Sequence, residues 1–149
     1  MFADAPREEA RAAYRRQLHA LLGIPEDATE LQMHELVVAG FPARDVAGLC
    51  EQGGVPVGVR DWIISPRTHK RRAVAGQRLT GEESDRLFRV VRLIALAQGI
   101  FGEHEKALRW LSKPKERFAG ETPFVMLTTM PGMYAVEEML LQVAEGIYA

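Results

Sequence analysis

The chain has 149 residues, 47% hydrophobic and 26% charged, with a net charge of −1 and a pI near 6.4. This length can bury a sizeable core as one domain or two small ones, and the balance fits neither a basic tail nor a disordered acidic segment. The single cysteine, Cys50, excludes an intramolecular disulfide and a thiolate zinc cluster. No apolar run approaches the roughly 20 residues of a membrane span, and the opening "MFADAPREEARAAYRR" has no apolar signal-peptide core. A cytoplasmic protein without membrane contact is expected.

In chain order the sequence reads as helix after helix. Asp4 can cap a first helix with Pro6 near its opening, and Tyr14, Leu18, Leu21 and Leu22 recur at helical spacing before Gly23 and Pro25 end it. Thr29 precedes "ELQMHELVVAG", in which Leu31, Met33, Leu36 and Val37 are expected to form an apolar face. Pro42 is expected to open a short helix through Val46, Leu49 and Cys50, stopped by Gly53-Gly54. Val57 to Ile63 follow as a helix, then Ser65-Pro66 as a cap and a helix-opening proline.

The clearest helix starts after Thr80, which pairs with Glu83 in a capping box. Leu87, Val90, Val91, Ile94, Ala97 and Phe101 share one face, and Gly102 is placed to end the helix in the left-handed conformation. "EHEKALRWLSK" has acids in its first turn and bases in its last, complementing the helix dipole, with Pro114 closing it. "KPKERFAGE" reads as an extended loop. A short helix from Thr122-Pro123 to Leu127 follows, and then a final one from about Met133 to Glu145, with Val136, Met139, Leu140 and Val143 inward and Gly146 at its end. Alternating apolar residues occur only in "GVPVGV", where proline and glycine argue against a central strand. The fold class is all-α, with a boundary near Thr80 between a helical unit of residues 1–79 and another of residues 80–149.

Positive charge is segregated. Arg60 to Arg78 holds six basic residues against Asp61 alone, a balance of +5 in a chain that totals −1. Residues 57–75 have the outline of a helix-turn-helix, whose second helix enters the major groove. Ser65, Arg67, Thr68, Lys70, Arg71 and Arg72 would populate that helix, arginine reading guanine and lysine neutralising phosphate. A solvated charged face is the alternative. Signs of catalysis are weak: His19, His34, His69 and His104 share no metal-ligand spacing, and "GGVPVG" lacks the lysine and context of a phosphate loop. Glu82, Glu83 and Asp85 lie where acids stabilise a helix start, and Trp62 and Trp110 sit among core-type residues. No enzyme, cofactor or metal is expected. Past Gly146, Ile147, Tyr148 and Ala149 are apolar at a terminus, where a pocket on another surface would suit them better than water.

"LTGEESDRLFRVVRLIALAQGIFGEHEKALRWLSKP", "GETPFVMLTT" and "VEEMLLQVAEGIYA" resemble the Xre/ParS/MbcA class of antitoxins, and "LVVAGFPARDVAGL" and "ISPRTHKRR" resemble its N-terminal half. The resemblance covers about residues 30–149. It implies an Xre-like helix-turn-helix unit that represses its own operon, joined to a C-terminal unit that binds a RES-domain toxin. Such toxins have an ADP-ribosyltransferase-like fold and consume NAD, and the end of the antitoxin chain reaches their active-site cleft. Carried to this chain, the resemblance implies toxin contacts by Gly146, Ile147, Tyr148 and Ala149. A homodimer is expected, because helix-turn-helix readers bind paired half-sites. Two residues depart from the family pattern: Ile63 stands where a glycine is common in the turn, and His69 where a leucine is common in the recognition helix. Isoleucine does not readily adopt positive φ, so a different turn is expected. The competing function is a stand-alone transcriptional repressor whose C-terminal half serves dimerisation or sensing.

Overall fold

The computed structural model describes residues 4–51 and 54–146, with side chains from Glu8 onward. The described residues form nine α-helices and one 3-10 turn, with no strand beyond an isolated bridge between Pro42 and Arg78. The helices are α1 (Asp4–Leu22), α2 (Glu30–Ala39), α3 (Arg44–Glu51), α4 (Val57–Ile63), α5 (Pro66–Ala75), α6 (Gly81–Phe101), α7 (His104–Ser112), α8 (Pro123–Met126) and α9 (Met130–Ala144). The fold is all-α. The expected Asp4 cap and Pro6 concern side chains outside those described, and Gly53 also lies outside the described residues.

Helix α6 is the axis of the molecule. Its start is fixed by the reciprocal cap, in which the Glu83 N–H donates to Thr80 Oγ1 (3.2 Å) and the Thr80 N–H donates to Glu83 Oε1 (2.8 Å). Its end is Gly102 at φ 79°, a left-handed conformation that a side chain would disfavour. Leu87, Val90, Val91, Ile94 and Ala97 are fully buried, and so are Leu93 and Ala95 on another side. Burial on several sides marks a helix enclosed by others. Here α1, α2 and α4 pack on it from the first half of the chain, and α7 and α9 from the second. The core is therefore continuous across Thr80.

Two close approaches explain glycines inside helices. A Cβ on Gly99 of α6 would stand 2.6 Å from the Ala10 carbonyl oxygen of α1, and one on Gly132 of α9 would collide with the Met126 carbonyl of α8. Each glycine lets two helix backbones approach more closely than alanine would.

Four expectations need correction. In α2 only Met33 and Val37 pack against the core, while Leu31 is 66% exposed and Leu36 lies at the surface. The α2 cap is Thr29, whose hydroxyl accepts from the Gln32 N–H while the Gln32 amide accepts from the Thr29 N–H. Pro42 does not open a helix: its carbonyl accepts from Asp45, the helix starts at Arg44, and Pro42 sits in the bridge to Arg78. The segment read as an extended loop contains a 3-10 turn, Glu116–Phe118. It is stitched by Lys115–Glu121 and Gly120–Lys115 backbone bonds of 3.0 Å, because Phe118 folds back into the core. Finally, α9 begins three residues earlier than expected, since the Thr129 hydroxyl caps the Gly132 N–H and Pro131 sits in the first turn.

Candidate interaction surfaces

Helices α4 and α5 are joined by Ile64 and Ser65 alone. Ser65 caps α5: its hydroxyl accepts from the Thr68 N–H (3.3 Å) and donates to Thr68 Oγ1 (2.8 Å). Gly76 at φ 67° ends the helix. Ile63 is fully buried as the last residue of α4, and Ile64 turns the chain at φ −158°, in extended geometry. The connection needs no residue at positive φ. Arg86 of α6 holds it, donating from Nε to the Ile63 carbonyl at 3.0 Å. His69 donates from Nε2 to the Ala43 carbonyl at 2.8 Å, so a hydrogen bond docks α5 beside α3 at the position where a leucine is common.

The six candidate residues of this helix do not share one role. Arg67, Lys70 and Arg71 are exposed and point away from the body, whereas Ser65 and Thr68 are occupied with the cap. Arg72 faces inward. Its guanidinium lies 3.3 Å from Glu83 Oε2 and donates to the Arg78 carbonyl at 3.3 Å, with side chains only 19% and 10% exposed in the ion pair. Glu83 thus serves the α6 cap and the α5–α6 ion pair together. At about 100° per residue, Arg71 and Arg72 fall on different faces of one helix.

A second surface lies on α9. Val136 and Leu140 are fully buried and Met139 and Val143 half-buried, as their spacing predicted. On the opposite side Met130 (53% exposed), Tyr134 (58%) and Leu141 (49%) form an apolar ridge, with Val125 of α8 also exposed. Glu138 and Glu145 lie on the same side of the helix. The ridge was missed in the sequence, although its signal was there: residues 130, 134 and 141 are the apolar positions left over once the inward stripe is assigned. Behind it, Arg92 of α6 grips Glu137 of α9 with two hydrogen bonds of 3.1 and 2.7 Å. The bond to Glu137 raises the Arg92 pKa above its ordinary value, against the opposing effect of burial. Gly146, at φ 80°, ends the described chain beyond α9, and Ile147, Tyr148 and Ala149 lie outside the described residues.

Of the remaining histidines, His34 is exposed on α2, and the other two are engaged in structure. His19 donates from Nδ1 to the Ile24 carbonyl at 3.2 Å, and His104 Nδ1 lies 3.1 Å from Gln98 Oε1. Burial pushes the half-buried Cys50 thiol up. Trp62 carries Arg89 over its ring at 5.6 Å, and Trp110 carries Lys115 at 4.5 Å, so both half-buried indoles are closed off by a cation. Among the described residues no three His, Cys, Asp or Glu side chains are grouped to hold a metal ion, and no helix is long and apolar enough to cross a membrane.

Residues 96–146 match the model of the antitoxin Xre/MbcA/ParS C-terminal toxin-binding domain. The matched span runs from the end of α6 through α9 and includes the apolar ridge. An Antitoxin Xre of Pseudomonas putida is 50% identical over 146 residues, covering 98% of this chain and 92% of that protein. An Antitoxin Xre of Yersinia enterocolitica is 31% identical, covering 97% and 95% of the two chains. One of Photorhabdus laumondii is 32% identical over 85 residues, 56% of this chain. An all-helical protein with a C-terminal toxin-binding domain is the class these findings define, and the chain belongs to the Xre antitoxin family. It is accordingly an antitoxin of a toxin–antitoxin system, with a toxin as partner, and not an enzyme.

Proposed function

We propose that this antitoxin neutralises a RES-domain, NAD-degrading toxin in the cytoplasm by covering its active site with the end of α9 and the residues that follow. The observation that carries the reading is the ridge of Met130, Tyr134 and Leu141, which lies inside the toxin-binding match and on the side of α9 turned away from the core. Large apolar side chains left at a surface favour a partner over water. Tyrosine is a common interface anchor, since a broad apolar ring carries a hydroxyl handle. In this reading the ridge supplies most of the affinity. Gly146 then directs Ile147, Tyr148 and Ala149 into the cleft where NAD would sit. Co-expression with the product of the adjacent gene tests the pairing: the two proteins should co-purify, and growth should be rescued. Removing residues 147–149 should leave a complex that forms but still consumes NAD. Full inhibition by the truncated protein at equal occupancy would assign the inhibition to the helical body.

The second part of the proposal is repression of the antitoxin's own operon, with α4 and α5 as the helix-turn-helix and a homodimer presenting two copies to paired half-sites. Its support is the outward face of α5, where Arg67, Lys70 and Arg71 are exposed. Ser65 and Thr68 hold the start of that helix, and Arg72 holds its far end against Glu83. The division at Thr80 is one of roles, with DNA and dimer contacts before it and toxin contacts after it. Gel-shift titrations of the promoter against random DNA test this part. An absence of promoter preference would leave a toxin-neutralising protein that does not regulate its operon.

A further inference from the structure

Val74 is 81% exposed, more than any other large apolar side chain among the described residues. It serves nothing in the fold: α5 buries no side chain completely, and valine is a poorer helix former than the arginine and lysine around it. Its direction is specific. At about 100° per residue, positions 67, 70, 71 and 74 all fall within about a third of a turn, with Val74 between Lys70 and Arg71. Arg67, Lys70 and Arg71 are exposed and have no ion-pair partner among the described residues. The most exposed apolar side chain thus sits in the middle of the basic face.

We propose that Val74 is a specificity-determining residue that packs on the 5-methyl group of a thymine in the major groove, while Arg67, Lys70 and Arg71 contact neighbouring bases and phosphates. The inference rests on the DNA-binding part of the proposed function. Charge favours nucleic acid as the occupant of this face, because a second copy of the same helix would bring like charges together. Positions spaced by three, one and three residues are those from which a helix lying in the groove reads bases in homeodomains. From Arg67 to Val74 the helix rises about 10 Å, the length of about three base-pair steps. Thymine alone offers a methyl group in the major groove, and apolar side chains recognise it.

The test is a gel shift on the protein's own promoter fragment, prepared either with thymine or with deoxyuridine, which lacks only the methyl group. The wild type should bind the deoxyuridine fragment about three- to fivefold more weakly, the value of one buried methyl group. Val74→Ala, which leaves only a Cβ methyl to meet the thymine, should show a penalty below about twofold and melt at or above the wild-type temperature, since alanine is the better helix former. A wild type indifferent to deoxyuridine, or a Val74→Ala protein that keeps the full penalty, overturns the assignment while promoter binding stands. A wild type with no preference for its promoter over random DNA overturns both this inference and the operon-repressing role.

Discussion

Arg71 and Arg72 show how adjacent residues of one type take unlike roles. Arg72 neutralises Glu83, whose carboxylate also caps α6, so Arg72→Ala would leave a largely buried carboxylate without its cation. The expected cost is about 1–3 kcal/mol, measured by denaturant unfolding. Arg71→Ala should change stability by less than about 0.5 kcal/mol but reduce the salt slope of promoter binding by about one unit. The basic run stands out in the sequence, and Arg67, Lys70, Arg71 and Arg72 of it lie on α5, yet the sequence could not separate Arg71 from Arg72. Doing so requires knowing which side of α5 meets α6, and that contact is non-local. Cys50 is half-buried at the end of α3, the helix whose Val46 and Leu49 are buried. Burial raises its pKa, so the thiolate that reacts is scarce at neutral pH. Alkylation of the native protein at pH 7.5 should therefore be slower than that of the unfolded protein, and rates alike in both states would contradict this.

At the scale of elements, the closest helix contacts should be the least tolerant. Gly132→Ala drives a methyl group into the Met126 carbonyl, and Gly99→Ala crowds Ala10. Each should destabilise by about 1–3 kcal/mol by thermal or denaturant melting, although alanine is intrinsically the better helix residue. Stabilisation by either substitution would mean that the helices do not approach so closely. Caps and breakers made most helices legible in the sequence: Thr80 with Glu83, Ser65 with Pro66, and Gly102 all stand where the sequence placed them. Two of the errors concern burial. In α2, apolar residues on the outward side were read as a core face, and in the 3-10 turn a buried Phe118 was read as loop. Periodicity says that a helix has an apolar side but not whether a neighbour covers it.

The whole molecule is organised around α6, which is enclosed by helices from both halves of the chain. A fragment beginning at Gln77 would lose the cover that α1, α2 and α4 provide. It should melt without a cooperative transition, whereas the full chain should unfold in one step, as circular dichroism would show. A cooperative fragment would mean that the second half folds alone. The Arg92–Glu137 pair ties α9 to this same axis, so the ridge rides on the most buried part of the structure. Sites on rigid elements bind with less ordering cost. The central claim is that the outward side of α9 holds the toxin. The most direct measurement is the equilibrium affinity of the intact chain and its Tyr134→Ala and Leu141→Ala variants for the toxin encoded by the adjacent gene. Both side chains are exposed, so melting temperatures should be unchanged, while each variant should bind about thirtyfold more weakly, about 2 kcal/mol. Wild-type affinity in both variants would contradict the account and place the toxin on another face.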